Sequence, residues 1–140
     1  MTRLTVGLPQ ASTIVRINKL VCGEGQNHHV LDMNRIESAL HSAFYPGSPP
    51  FVYGGIARLA GALCFYLTKG HAFQDGNKRT AVLTAITFMN EHGWELVYPL
   101  GGDETPDALA DLVDAVASGS LGRDEMIEWF ELHKRLTEIE

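Results

Sequence analysis

The run His71-Ala72-Phe73-Gln74-Asp75-Gly76-Asn77-Lys78-Arg79-Thr80 places a base, a carboxylate, a carboxamide and two cations within nine residues. An imidazole titrates near ~6.5, so His71 suits the part of general base toward a hydroxyl at neutral pH. Asp75 is a hard oxygen donor of the kind that Mg²⁺ takes. Gly76 and Asn77 offer backbone N–H groups and a side-chain amide to phosphate oxygens. Lys78 and Arg79 add charge where a transferring phosphoryl group would develop it. Lys69, just upstream, either strengthens the same positive field or simply ends a helix. Taken as chemistry, these residues point to nucleotide or phosphate transfer to a hydroxyl, with His71 as base and Mg²⁺ at Asp75.

Two apolar segments flank the run and must position it. Ile56, Leu59, Ala60, Leu63 and Leu67 recur at helical spacing and stop at Gly70; Ala81, Val82, Ala85, Ile86 and Met89 do the same and stop at Gly93. The polar run is therefore a loop feeding a helix N-terminus, where backbone N–H groups lack intrahelical partners and the dipole favours an anion. Lys78 and Arg79 oppose that dipole, a poor choice for stability alone that a bound phosphate would offset. Asp75 also suits the cap of this second helix. The spacing is not a Walker A loop: Gly70 and Gly76 are six apart, and Asn77 separates Gly76 from Lys78.

His-x-Phe-x-Asp-Gly-Asn-Lys-Arg-Thr resembles the signature of the Fic/Doc superfamily, and lysine at position 78 makes it look most like the Doc (death-on-curing) toxin branch. The resemblance is strongest over these ten positions and extends loosely to Asp32 through Leu40 and to Ala115 through Gly119. It implies a helical fold, ATP and Mg²⁺ as cofactors, and a protein hydroxyl as acceptor. Fic enzymes transfer a nucleoside monophosphate; their pattern has glycine before the first arginine and a second arginine three positions after it. This chain has Lys78 and Val82 there. Doc-like toxins share the first departure and lack the second arginine. They are held to move the γ-phosphate of ATP to a threonine of elongation factor Tu, halting translation. Gly76 is the Fic-like choice where Doc toxins carry alanine, so Fic-type nucleotidyl transfer (AMPylation) is the alternative reading. A catalytically silent regulatory member of a toxin–antitoxin operon is a second alternative.

The family also implies a flap between Pro46 and Gly55, with Phe51 and Tyr53 set either to contact the target segment or to pack beneath the loop. Many Fic proteins restrain themselves with a helix bearing [Ser/Thr]-x3-Glu-[Gly/Asn]. The nearest string here, Thr87 to Glu91 followed by His92, fails at its last position. A separate Phd-like antitoxin acting in trans is therefore expected, folding as a helix into a surface groove.

At 140 residues the chain is expected to form one domain, residues 1–140, with a core large enough to need no staples. A formal charge of −6 speaks against a direct nucleic-acid partner, because phosphate contacts need a basic face. Cys22 and Cys64 fit no metal or redox spacing and read as reduced packing residues. With no signal-like apolar run at the start and no stretch long enough to span a membrane, a cytoplasmic protein is expected. His28 and His29 lie in a polar loop without a third ligand and read as solvent-facing.

The remaining text predicts helices throughout. One opens at Pro9, carries Ile14, Ile17, Leu20 and Val21 on one side, and ends at Gly23. Another is capped by Asp32, a third opens at Thr105-Pro106-Asp107, and a last begins near Arg123. Trp94 through Tyr98 reads as a short strand. The expected fold is all-α: six or seven helices around the 56–69 and 77–92 pair, with a small flap or hairpin before the central helix.

Overall fold

The structure, a computed structural model, describes residues 9–23, 30–44 and 53–137. Among these are six helices: α1 (Ala11–Cys22), α2 (Met33–Phe44), α3 (Ile56–Gly70), α4 (Asn77–Glu91), α5 (Ala108–Ser118) and α6 (Arg123–Leu132). One two-stranded antiparallel sheet pairs β1 (Trp94–Leu96) with β2 (Lys134–Leu136). The architecture is all-α, as the apolar periodicity predicts. The strand expected at Trp94 is present but three residues long, and its partner β2 was not legible: Lys134-Arg135-Leu136 carries no strand pattern of its own.

α3 is the axis of the fold. Leu59, Ala60, Leu63 and Cys64 are completely buried, as an apolar composition on more than one face demands. It packs against α2, α4, α5 and α6. Gly61 permits the close approach of α6, since a Cβ there would stand 2.9 Å from the Ile127 Cα. The inward residues of α5 and α6 include Leu112, Val113, Val116, Met126 and Phe130.

The helix ends mostly follow local chemistry. Asp32 Oδ1 accepts from the Asn34 N–H at 2.9 Å, capping α2 as expected. Gly23 and Gly119 close α1 and α5 at positive φ, the conformation glycine adopts without a Cβ penalty. Two starts differ by a little. α1 begins at Ala11 with Gln10 as cap, so Pro9 lies outside it, and α5 begins after Asp107. The expected stripe on α1 also needs correction: Leu20 is 76% exposed, while Asn18 is fully buried. One helical turn separates Ile14 from Asn18, and the buried stripe runs through the carboxamide rather than the leucine.

Cys22 and Cys64 are free and buried. Burial pushes the Cys64 thiol up to about 12, against the smaller lowering effect of a hydrogen bond with Thr68, so it serves as an apolar filler.

Candidate active site

The loop between α3 and α4 owes its shape to backbone bonds made by its own and neighbouring side chains. Ala72 and Phe73 are buried and anchor it in the core. The Asn77 carboxamide closes a ring on Phe73: its Oδ1 accepts from the Phe73 N–H at 3.0 Å, and its Nδ2 donates to the Phe73 carbonyl at 2.8 Å. The chain entering α2 straps the outside. Leu31 N–H donates to the Ala72 carbonyl at 2.7 Å, and Val30 bridges Phe73. Arg35 Nη1 donates to the His71 carbonyl at 2.9 Å.

His71 ends α3 in the left-handed conformation, φ 50° and ψ 51°, where glycine is the usual residue. A non-glycine residue held there is strained, and such strain persists only where surrounding bonds impose it. The strap and the Arg35 bond supply that constraint. They leave the His71 ring exposed.

α4 starts differently from the expectation. Its cap residue is Gly76, at φ +74°, and no side chain caps the helix. Asp75 Oδ1 accepts from the Gly76 N–H at 2.8 Å rather than from the helix amides, so the carboxylate does not double as an N-cap. Thr80 N–H is bonded to the Gly76 carbonyl at 2.9 Å. The α4 amides before it have no ladder partner. The positive end of the helix is open, as an anion site requires.

These residues border one cavity of about 450 Å³, lined by Lys69, His71, Asp75, Gly76, Asn77, Lys78 and Arg79 together with Thr68, Gln74 and Ala117. The structure thus brings together every residue of the loop that the sequence singled out, and Lys69 with them. Each cation is tethered at the rim. Lys69 Nζ donates to the Val116 carbonyl at 3.2 Å in the last turn of α5, and Arg79 Nη1 to the Val21 carbonyl at 2.9 Å in the last turn of α1. Both carbonyls sit at the negative end of a helix, where cations are favoured. Lys78 Nζ pairs with Asp114 Oδ1 at 2.8 Å in an exposed bridge. Such a bridge is worth little and yields easily to a stronger anion.

Phe51, like His28 and His29, falls outside the described residues. Tyr53 does not line the cavity: its hydroxyl donates to the Ser42 carbonyl at 3.1 Å and Arg123 lies over its ring. Burial raises its phenol above the ordinary tyrosine value. Sequence reasoning missed Asn18, Val21, Arg35 and Asp114, which hold loop and cations from other helices. Nothing in their local text announces this, because the contacts span 36 to 62 residues.

Among the described residues Asp75 is the only carboxylate lining the cavity, and no three His, Cys, Asp or Glu side chains gather as a metal cage. That donor set fits Mg²⁺, which is commonly held by one carboxylate together with substrate phosphates. On an all-α scaffold, one cavity thus gathers an uncapped helix N-terminus, three cations, a carboxylate and an exposed histidine, the kinds of group that phosphate binding and transfer call for. The family is specific: a profile of the Fic/DOC family matches residues 11–89, and the chain belongs to that family. Members are transferases that move phosphate or AMP and use ATP, usually with Mg²⁺. No curated protein matches the chain.

Proposed function

We propose that this protein is a Doc-type toxin of the Fic/DOC family, a cytoplasmic enzyme that transfers the γ-phosphoryl group of ATP to a threonine or serine hydroxyl of a protein, with elongation factor Tu as the target. The observation that carries the choice of phosphoryl over nucleotidyl transfer is at positions 78 and 82. Lys78 stands on the cavity wall where close approach of a nucleotide's phosphates to the backbone would call for glycine. Val82, one helical turn on, lines an adjoining apolar recess of about 380 Å³ with Ile86, Leu109 and Val113. Position 82 itself therefore offers no arginine clamp, Arg79 and Lys78 bordering both recess and cavity, and a terminal phosphate is left to sit at the reacting end beside His71.

Gly76 does not argue for the alternative chemistry. A Cβ at that position would meet Cys22 Sγ at 2.9 Å and Asn18 Nδ2 at 3.2 Å, on a residue at φ +74°. Glycine is demanded by the packing of α1, whichever group is transferred.

In this reading His71 takes the proton of the acceptor hydroxyl as its oxygen bonds to the γ-phosphorus and the bond to the β-bridging oxygen breaks, releasing ADP. The open amides of α4, with Lys69, Lys78 and Arg79, bind the phosphates and stabilise the charge on the transferring group. Asp75 would hold Mg²⁺, which supplies charge neutralisation between the phosphates. Asn77 acts through its bonds to Phe73, keeping the loop in shape. Restraint comes from an antitoxin in trans, because Val82 leaves an intramolecular glutamate without an arginine to grip. Incubating the protein with ATP, Mg²⁺ and elongation factor Tu tests the reading by the intact mass of the target: a phosphate-sized gain supports it.

A further inference from the structure

Asn18 is the most distant of the residues that touch the loop in sequence, and it is completely buried. Its Nδ2 donates to the Asp75 carbonyl at 2.9 Å and to Thr80 Oγ1 at 3.0 Å, reaching 57 and 62 residues along the chain. The Asp75 carbonyl only accepts, so the NH₂ end must face it. The amide's Oδ1 is then left buried without a partner. A buried acceptor with no donor is a cost, which the two bonds made by the Nδ2 offset. The two bonds span the turn from the carboxylate residue to the first turn of α4. They fix the separation between the one carboxylate of the cavity and the open helix amides.

The surrounding contacts serve the same join. Cys22 Sγ lies 3.7 Å from the Asp75 carbonyl, and Gly76 leaves no room for a Cβ against Asn18, Val21 and Cys22. Arg79 closes on the Val21 carbonyl. The last turn of α1 is a platform on which the loop and the start of α4 are registered, with Asn18 as its only buried polar side chain.

We infer that Asn18 is a positioning residue of the transfer site, acting through Asp75 and Thr80 to set the carboxylate against the phosphate-binding helix terminus. The role toward metal and nucleotide rests on the reading under Proposed function; the mechanical role does not. Asn18→Leu keeps the size of the side chain and removes both bonds. In that variant, hydrogen exchange of the bonded Gly76 and Thr80 amides should accelerate about 10-fold, while α3 and α6 keep their protection. Affinity for Mn²⁺·ATP, measured by calorimetry, should fall by about 3–10-fold, and affinity for metal-free ATP by less. Thr80→Val removes one of the two bonds with little change of volume. It should accelerate exchange at Thr80 more than at Gly76, and it carries the exchange test if Asn18→Leu does not fold. The double variant should lose less than the sum of the singles, as coupled sites do.

Unchanged exchange at Gly76 and Thr80, or acceleration spread evenly over α3 and α6, would reduce Asn18 to an ordinary core residue and overturn the inference. An equal loss for ATP with and without Mn²⁺ would overturn the link through Asp75. If the wild type binds no Mn²⁺·ATP, the transfer reading of the cavity fails, and the exchange pattern still decides what Asn18 does for the loop.

Discussion

Two of the histidines at helix ends, His71 and His133, are used in opposite ways. His71 ends α3 in a strained left-handed conformation with its ring exposed and its carbonyl bound by Arg35. His133 follows α6, is 2% exposed, and stacks on Trp129 with ring centroids 3.7 Å apart. Its Nδ1 lies 2.7 Å from the Trp129 carbonyl and its Nε2 2.8 Å from Glu104 Oε2. Every polar atom of one ring is consumed in structure, while the other is presented to a cavity by bonds made elsewhere. Residue type alone therefore says little; what matters is whether the surroundings complete a side chain or merely orient it.

The comparison is broken most sharply by alanine at each position. His71→Ala should lower transfer by about 10²–10⁴-fold, the usual worth of a positioned base, with the thermal midpoint unmoved. His133→Ala should do the reverse. Removing a buried, doubly bonded and stacked ring should destabilise by about 2–4 kcal/mol in chemical denaturation, while folded molecules stay active. Loss of activity without loss of stability at position 133, or the converse at 71, would merge the two classes.

A smaller effect probes the backbone beneath the site. Gly76→Ala drives a Cβ into Cys22 on a residue at φ +74° and should cost about 1–3 kcal/mol. Pairing it with Cys22→Ala should recover part of that, since the sulfur is the nearest atom; the φ strain would remain. Denaturation midpoints of the three variants check this.

The smallest effect is a pH dependence on the structural side. The hydrogen bond from His133 holds the Glu104 carboxyl below its usual range, with a further contribution from the Leu100 N–H. A depressed folded value means the carboxylate's contribution is present above the unfolded carboxyl value and lost as pH falls through the folded one. Acid unfolding followed by circular dichroism should therefore show a flatter acid limb for Glu104→Gln than for the wild type. Equal limbs would detach Glu104 from the stability of this end.

How much of this was legible depends on how far each contact reaches. The loop's residue types and the helices on either side could be read directly, because Ile56 to Leu67 and Ala81 to Met89 repeat their apolar face locally. The cap at Asp32 was equally plain. Asn18 was hidden: a polar residue amid Ile14, Ile17 and Leu20 reads as surface until Thr80 and Asp75 are folded against it. β2 was hidden as well, since Lys134, Arg135 and Leu136 carry no apolar alternation, and the side-chain partners of the strand, Glu95 for Arg135 and the Trp94 ring for Lys134, lie about 40 residues away. The cap of α4 misled for a different reason. Asp75 has the right chemistry for an N-cap, but Gly76 at positive φ turns its carboxylate onto a single N–H and leaves the helix end open for a ligand.

The central claim, phosphoryl rather than nucleotidyl transfer from a cavity with Lys78 on its wall and Val82 in the recess beside it, is tested most directly by the intact mass of elongation factor Tu after incubation with this protein, ATP and Mg²⁺. The wild type should add one phosphate-sized increment, absent with His71→Ala and weakened by Lys78→Gly with Val82→Arg. An AMP-sized increment from the unmutated protein would contradict the account.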